Sequence, residues 1–147
     1  MTRPWQDHLL SSPDAIRALL ERTRRIAVLG IKTRETGQPA YYVPEYAQHA
    51  GYEIVPVPVY FPEVTEILGE RVYRRVADVP GEVDLVNVFR RPKDIDAHAD
   101  DILAKRPRAV WFQLGIRNDD AAERFAKAGI DVVQDRCLLV ELRRMGR

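Results

Sequence analysis

The chain is poor in the residues that build covalent or metal-based sites. One cysteine, Cys137, stands among 147 residues. That excludes an internal disulfide and a multi-cysteine metal centre, and it suits a reducing compartment. The three histidines, His8, His49 and His98, lie on the N-terminal segment and on expected helices at no metal-ligand spacing, so surface positions are expected for them. No apolar run has the length of a membrane span, and the start MTRPWQDHLL lacks the basic-then-apolar pattern of a signal peptide. Charge of one sign is lacking too. Lys and Arg number 23 against 22 Asp and Glu, so no global excess recruits nucleic acid or an acidic membrane. No Gly-x-Ser-x-Gly elbow occurs, and the order of elements suggests no cysteine–histidine pair. These absences leave a small cytoplasmic protein, at this length a single domain able to bury roughly 68–70% of its unfolded surface.

What is present is an alternation of strand and helix signals. Ser12, Pro13 and Asp14 read as a helix start, followed by Ile16, Leu19, Leu20 and Thr23 on one face. Residues 1–11 form an N-terminal extension. A strand is expected over Arg25–Ile31, then a helix over Tyr41–Ala50 closed by Gly51, in which Pro44 must fall in the first turn. Tyr52–Val59 reads as a strand whose Pro56 and Pro58 suit an outer position. An excursion over Phe61–Arg75 holds a helical piece at Val64–Leu68 stopped by Gly69, and a brief strand at Arg71–Tyr73. Strands follow at Val83–Phe89, Ala109–Leu114 and Ile130–Gln134. Helices are expected from Pro92 to Lys105, from an Asn118 cap to Ala128, and over Leu138–Met145. Apolar strands of this kind call for a doubly wound parallel α/β sheet with helices on both faces and a ligand crevice at the strands' carboxyl ends.

The most informative stretch is RIAVLGIKTRETGQP, Arg25 to Pro39. A buried strand breaks at Gly30 into a loop with Ile31, Lys32 and Arg34, and Gly37 and Pro39 lead into a helix. Such a loop presents backbone N–H groups to phosphate. Six residues separate Gly30 from Gly37 and Gln38 follows, so a Walker A loop does not fit. Lys32 and Arg34 stand where a dinucleotide fingerprint wants glycine, and the second strand ends in Val57, Pro58 and Val59 without the acid that grips a ribose. NAD is disfavoured on both counts. Arg90, Arg91 and Arg117 add cations at neighbouring strand ends.

Taken together, IAVLGIKTRETGQPAYYVPEY, GYEIVPVPV, EILGERVY, VDLVNVFRRP, AVWFQLGIRN and GIDVVQDRCLLVE resemble the stand-alone bacterial CoA-binding domain proteins of the YccU-like type. The resemblance runs from about Ile16 onward, and VFRRP, WFQLGI and DRC in combination are its specific part. The same fold is similar to the CoA-binding domain of succinyl-CoA ligase α subunits and NDP-forming acyl-CoA synthetases. The resemblance implies a Rossmann-like domain holding CoA or an acyl-CoA. Gly30, Lys32 and Arg34 would lie nearest the phosphates, within the loop Gly30–Gly37, with Tyr42 at the following helix start. Val57 and Pro58 would flank adenine or ribose, and Phe89, Arg90 and Arg91 would border the adenosine side or the pyrophosphate. Gln113, Leu114 and Gly115 would line the pantetheine path. This chain departs from the family after the second strand, where VPVPVYFPEV replaces a valine-proline-asparagine-proline turn and the loop is longer.

Catalytic parts are not evident. The phosphorylated histidine and ATP-grasp domain of the ligases have no counterpart in so short a chain. Cys137 precedes a helix and follows Asp135 and Arg136, where a thiol can gain reactivity; burial as a small hydrophobe is the plainer expectation. Asp135 and Arg136 are expected to form an ion pair, and Trp111 and Phe112 to be core. Three readings stay open: a non-catalytic CoA or acyl-CoA binder, a CoA-thioester enzyme or subunit needing a protein partner, and a binder of NAD or another adenylate.

Overall fold

The computed structural model describes residues Arg3 to Arg147; positions 1 and 2 of the expected N-terminal extension lie outside the described residues. Five parallel strands form the main sheet: β1 (Arg25–Leu29), β2 (Glu53–Val57), β5 (Leu85–Val88), β6 (Ala109–Phe112) and β7 (Asp131–Val133). Their spatial order is β2-β1-β5-β6-β7. The helices are α1 (Pro13–Glu21), α2 (Pro39–His49), α3 (Asp96–Lys105), α4 (Asp119–Lys127) and α5 (Leu138–Arg144). Among the described residues no helix is long and apolar enough to cross a membrane.

Alternation along the strands divides the core in two. Ala27, Leu29, Val86, Val88, Val110 and Phe112 face α3 and α4, where the Phe112 and Phe125 rings meet edge to face at 6.4 Å. Ile26, Val28, Leu85, Ala109 and Trp111 face α1, α2 and α5. Both faces are covered, as the near-continuous apolar strands require. Each fully buried leucine, isoleucine, valine or phenylalanine side chain contributes roughly 1.5–3 kcal/mol. The domain is therefore α/β and Rossmann-like, with helices on both faces. Trp111 and Phe112 are fully buried, as expected. The side chains of Ser12 and Asn118 accept from the N–H groups of Ala15 and Ala121 and cap α1 and α4.

Several local expectations are corrected. Val64–Leu68 is not helical: β3 (Glu66–Ile67) and β4 (Glu70–Arg71) form an antiparallel hairpin. Leu68 and Gly69 both take left-handed conformations, φ 57° and 75°, as a two-residue hairpin turn requires. This hairpin packs beside β2, where Tyr73 N–H donates to the Pro56 carbonyl at 3.0 Å. Pro92 opens a short 3₁₀ turn (Pro92–Asp94), and α3 begins at Asp96. Within the N-terminal extension, Trp5–His8 form a 3₁₀ turn, and Leu10 N–H donates to the Val132 carbonyl at 2.8 Å, beside β7. His8 is half-buried, 2.7 Å from Asp131, and His98 is also half-buried, so only His49 is the exposed histidine expected.

Pro44 stands six residues into α2, beyond the first turn. Proline there cannot donate to the carbonyl four residues back, and its ring pushes that carbonyl aside. The freed acceptor is Ala40 O, and it is taken by Lys32 N–H at 3.1 Å. The proline thus converts a helix hydrogen bond into a tie between α2 and the loop after β1. Pro44→Ala should return Ala40 O to the helix. We expect the Lys32 amide to exchange about tenfold faster by hydrogen-exchange NMR, with global stability changed by no more than about 2 kcal/mol. Unchanged protection of Lys32 would refute the tie.

Candidate functional site at the carboxyl ends of the strands

The chain leaves β1 toward β2 on one side and returns to β5 on the other, so the topological switch point lies between the carboxyl ends of β1 and β5. Gly30 sits at that point with φ 87°. A Cβ there would overlap the Phe89 carbonyl oxygen and come within 3.1 Å of its carbon. Gly30 N–H donates to Val57 O at 2.9 Å, and Phe89 N–H donates to Leu29 O at 2.9 Å. The ends of β2, β1 and β5, and with them Val57, Gly30 and Phe89, are brought together by backbone alone. Glycine is therefore needed for the crossing of two chain segments, before any ligand is considered. Gly30→Ala should lower stability by about 2–4 kcal/mol in urea denaturation, from the overlap and the positive φ; a variant as stable as the parent would contradict this geometry.

The loop then runs through a 3₁₀ turn (Arg34–Thr36) to Gly37, φ 62°, and Pro39 opens α2. The backbone N–H groups of Ile31, Thr33 and Arg34 meet no acceptor among the described residues. Ile31 is buried as a whole residue, backbone included, so the donors that face outward are those of the half-buried Thr33 and the exposed Arg34. Lys32 Nζ reaches Gln38 Oε1 at 2.7 Å. The Glu35 carboxyl is held below its usual range by its own backbone N–H and the Thr33 hydroxyl. Burial, with Glu45 next, raises the Tyr41 phenol.

The opposite wall follows β2 and β5. Val57 and Pro58 are buried. Arg74 donates to the carbonyls of Tyr60, Phe61 and Val64 at 3.0, 2.7 and 2.7 Å and fixes the loop that carries Tyr60. Arg90 lies among Tyr60, His98 and Asp94. Its guanidinium is 5.6 Å from the Tyr60 ring centre, its Nη1 is 3.4 Å from the Tyr60 hydroxyl, and its Nε donates to His98 Nε2 at 3.2 Å. Asp94 Oδ2 lies 3.8 Å from Arg90 and 2.8 Å from Arg91. The hydrogen bond from Arg90 lowers the Tyr60 phenol, and that from Arg91 lowers the Asp94 carboxyl. Tyr60, His98 and Asp94 carry no sequence signal of this role; only the fold brings them to Arg90.

Burial first, and Arg90 second, lower the His98 imidazole below its ordinary value, against the opposing carboxylates Asp101 and Asp94. The neutral ring accepts from Arg90. A histidine held neutral in the folded state stabilises fully above the ordinary histidine range, and that contribution is lost as pH falls through it. The melting temperature of the parent should therefore fall more steeply between pH 7.5 and 5.5 than that of His98→Gln. Equal slopes would remove His98 from this account.

At the β6 side, Gln113 N–H donates to Val88 O at 3.2 Å, which sets the end of β6 beside that of β5. The Gln113 side chain turns inward. Its Oε1 accepts from Asn87 Nδ2 at 3.4 Å and from Leu138 N–H, at the start of α5, at 3.3 Å. Leu114, in contrast, is 65% exposed. Gly115 N–H donates to Asp135 Oδ1 at 2.6 Å, and this bond replaces the expected Asp135–Arg136 ion pair. Asp135 takes a left-handed conformation, φ 56°, that turns the chain from β7. Cys137 is half-buried at the N-cap of α5, and Arg117 pairs with Asp119 at 3.1 Å. Tyr42, Tyr60, Leu114 and Val140 are exposed large apolar residues, and all four lie in loops or early helical turns that follow strand ends. The Arg34 side of the loop borders a cavity of about 400 Å³ shared with Tyr41 and the β3–β4 hairpin.

A glycine-pinned switch point at the carboxyl ends of a doubly covered parallel sheet defines an α/β domain of the Rossmann-like class. Within that class, the family described as CoA binding domain matches residues 24–143, and the chain belongs to it. YneT of Bacillus subtilis (strain 168), itself uncharacterized, is 34% identical over 125 residues, covering 85% of this chain and 90% of YneT. A solved structure from Thermus thermophilus, cell-free ID.343, is 38% identical with a TM-score of 0.84, covering 92% of this chain and 99% of that one. A hypothetical protein from Pyrococcus horikoshii OT3 is 30% identical with a TM-score of 0.85, covering 100% and 99%.

Proposed function

We propose that this protein binds CoA or an acyl-CoA across the carboxyl ends of its strands and holds it without transforming it. The observation that carries this reading is the pair of open N–H groups at Thr33 and Arg34, in the loop that leaves the switch point at Gly30. Backbone donors of this kind suit phosphate oxygens. Membership of the CoA-binding family supports CoA over other nucleotides. Lys32 and Arg34 supply charge to the phosphates, and Tyr42 stands at the start of α2. Phe89, Arg90 and Arg91 border the adenosine side above the buried Val57 and Pro58, and the pantetheine arm passes the exposed Leu114 and Gly115, with the Gln113 side chain turned inward beneath them. Two or three charge-assisted contacts, each contributing on the order of 1.5–3 kcal/mol, together with apolar burial reach the roughly 8 kcal/mol of a micromolar ligand.

Calorimetric titration with CoA, dephospho-CoA and NAD tests the reading. We expect saturable CoA binding that weakens without the 3′-phosphate, whereas NAD binding with no response to CoA would falsify it. Lys32→Ala and Arg34→Ala should each weaken CoA by about 1–3 kcal/mol and leave the melting temperature nearly unchanged. A large loss of stability instead would make these residues structural.

A further inference from the structure

A groove of about 400 Å³ opens between α1 and α5 at the carboxyl ends of β6 and β7. We propose that it receives the acyl end of a CoA thioester carrying a short, uncharged acyl chain; this rests on the CoA reading above. Its size is within the range of small-molecule pockets. Ile16 and Pro13 of α1, Leu114, Cys137 and Val140 supply its apolar wall. Leu114 and Val140, at 65% and 39% exposure, both lie on this one groove, so their apolar surface is concentrated rather than scattered.

The groove shares Leu114 with the proposed ligand path. The ends of β1, β5 and β6 stand in order, so Leu114 is two interstrand spacings from the switch point, about 10 Å. An arm anchored by its phosphates at Gly30–Gly37 and laid along Leu114 and Gly115 delivers its sulfur end here. The charged groups of the groove favour a neutral chain. Arg144 pairs with Glu141 at 2.9 Å, Asp135 is spent on Gly115 N–H, and Arg136 Nη1 donates to the Asp135 backbone carbonyl at 3.4 Å.

Cys137, the single cysteine, reports on the groove without any substitution. Its alkylation by N-ethylmaleimide, followed by mass spectrometry of the intact protein, would be measured with saturating acetyl-, butyryl- and hexanoyl-CoA, none of which bears a free thiol. The expected result is protection that grows with chain length, to about fivefold or more with hexanoyl-CoA. Calorimetric affinity should rise about twofold or more for each two carbons added. Val140→Arg, at an exposed position, should abolish this dependence on chain length while CoA itself binds as before, with thermal melting checking the fold. Saturable CoA binding with no protection of Cys137 and no dependence on chain length overturns the groove assignment and leaves the CoA reading standing. Tighter binding of succinyl-CoA than of butyryl-CoA overturns the uncharged chain. Failure of every CoA species to bind overturns both readings.

Discussion

The close crossing of Gly30 and the Phe89 carbonyl is the contact on which the rest of the site depends. It fixes how near the ends of β1 and β5 can approach at the point where the chain reverses its progress through the sheet. Two hydrogen bonds hold that register, Phe89 to Leu29 between the ends of β5 and β1 and Gly30 to Val57 at the end of β2. The loop starts from this rigid corner, and Lys32 N–H on the carbonyl freed by Pro44 holds its first turn against α2. The direction in which the backbone donors point is therefore set by main-chain geometry at both sides. A loop built this way would lose little conformational entropy on binding an anion, because its backbone is already ordered.

The cationic side chains around the crest are largely engaged already. Lys32 holds Gln38, Arg91 holds Asp94, Arg117 holds Asp119, and Arg90 is shared among Tyr60, His98 and Asp94. An anionic ligand would exchange partners with these groups rather than meet bare charges. Such exchange reduces the net gain per contact. It also keeps each side chain near its working position, and Arg90 most of all, since its guanidinium is held on three sides.

The order of strands and helices was legible because burial on both faces writes itself as apolar runs, and Ser12 and Asn118 marked helix starts through their own hydrogen bonds. The outer place of β2 was legible from Pro56 and Pro58. The β3–β4 hairpin was not, because Val64, Ile67 and Leu68 satisfy a helical period as well as a strand, and a leucine at positive φ carries no turn signal. Pro44 was misplaced because its compensation is Lys32, twelve residues away in the chain. At the site, the glycine-bounded loop could be read from spacing, whereas the inward turn of Gln113 depends on its neighbours Asn87 and Leu138, brought close only by folding. Tyr60 and His98 belong to the same class of residue, ordinary in sequence and given a role by Arg90.

The margins of the main sheet carry one further consequence. Outer strands present unpaired backbone groups to other chains and so invite strand addition. On the β2 margin, Pro56 has no N–H to offer and its carbonyl is occupied by Tyr73. On the β7 margin, the strand has three residues, and the carbonyl of its central Val132 is occupied by Leu10 of the N-terminal segment. Neither side of the main sheet is left as an open template. Association between copies, or with another protein, must then go through helix faces and the crest of loops, and loss of the first eleven residues would expose a strand that the intact chain keeps shut.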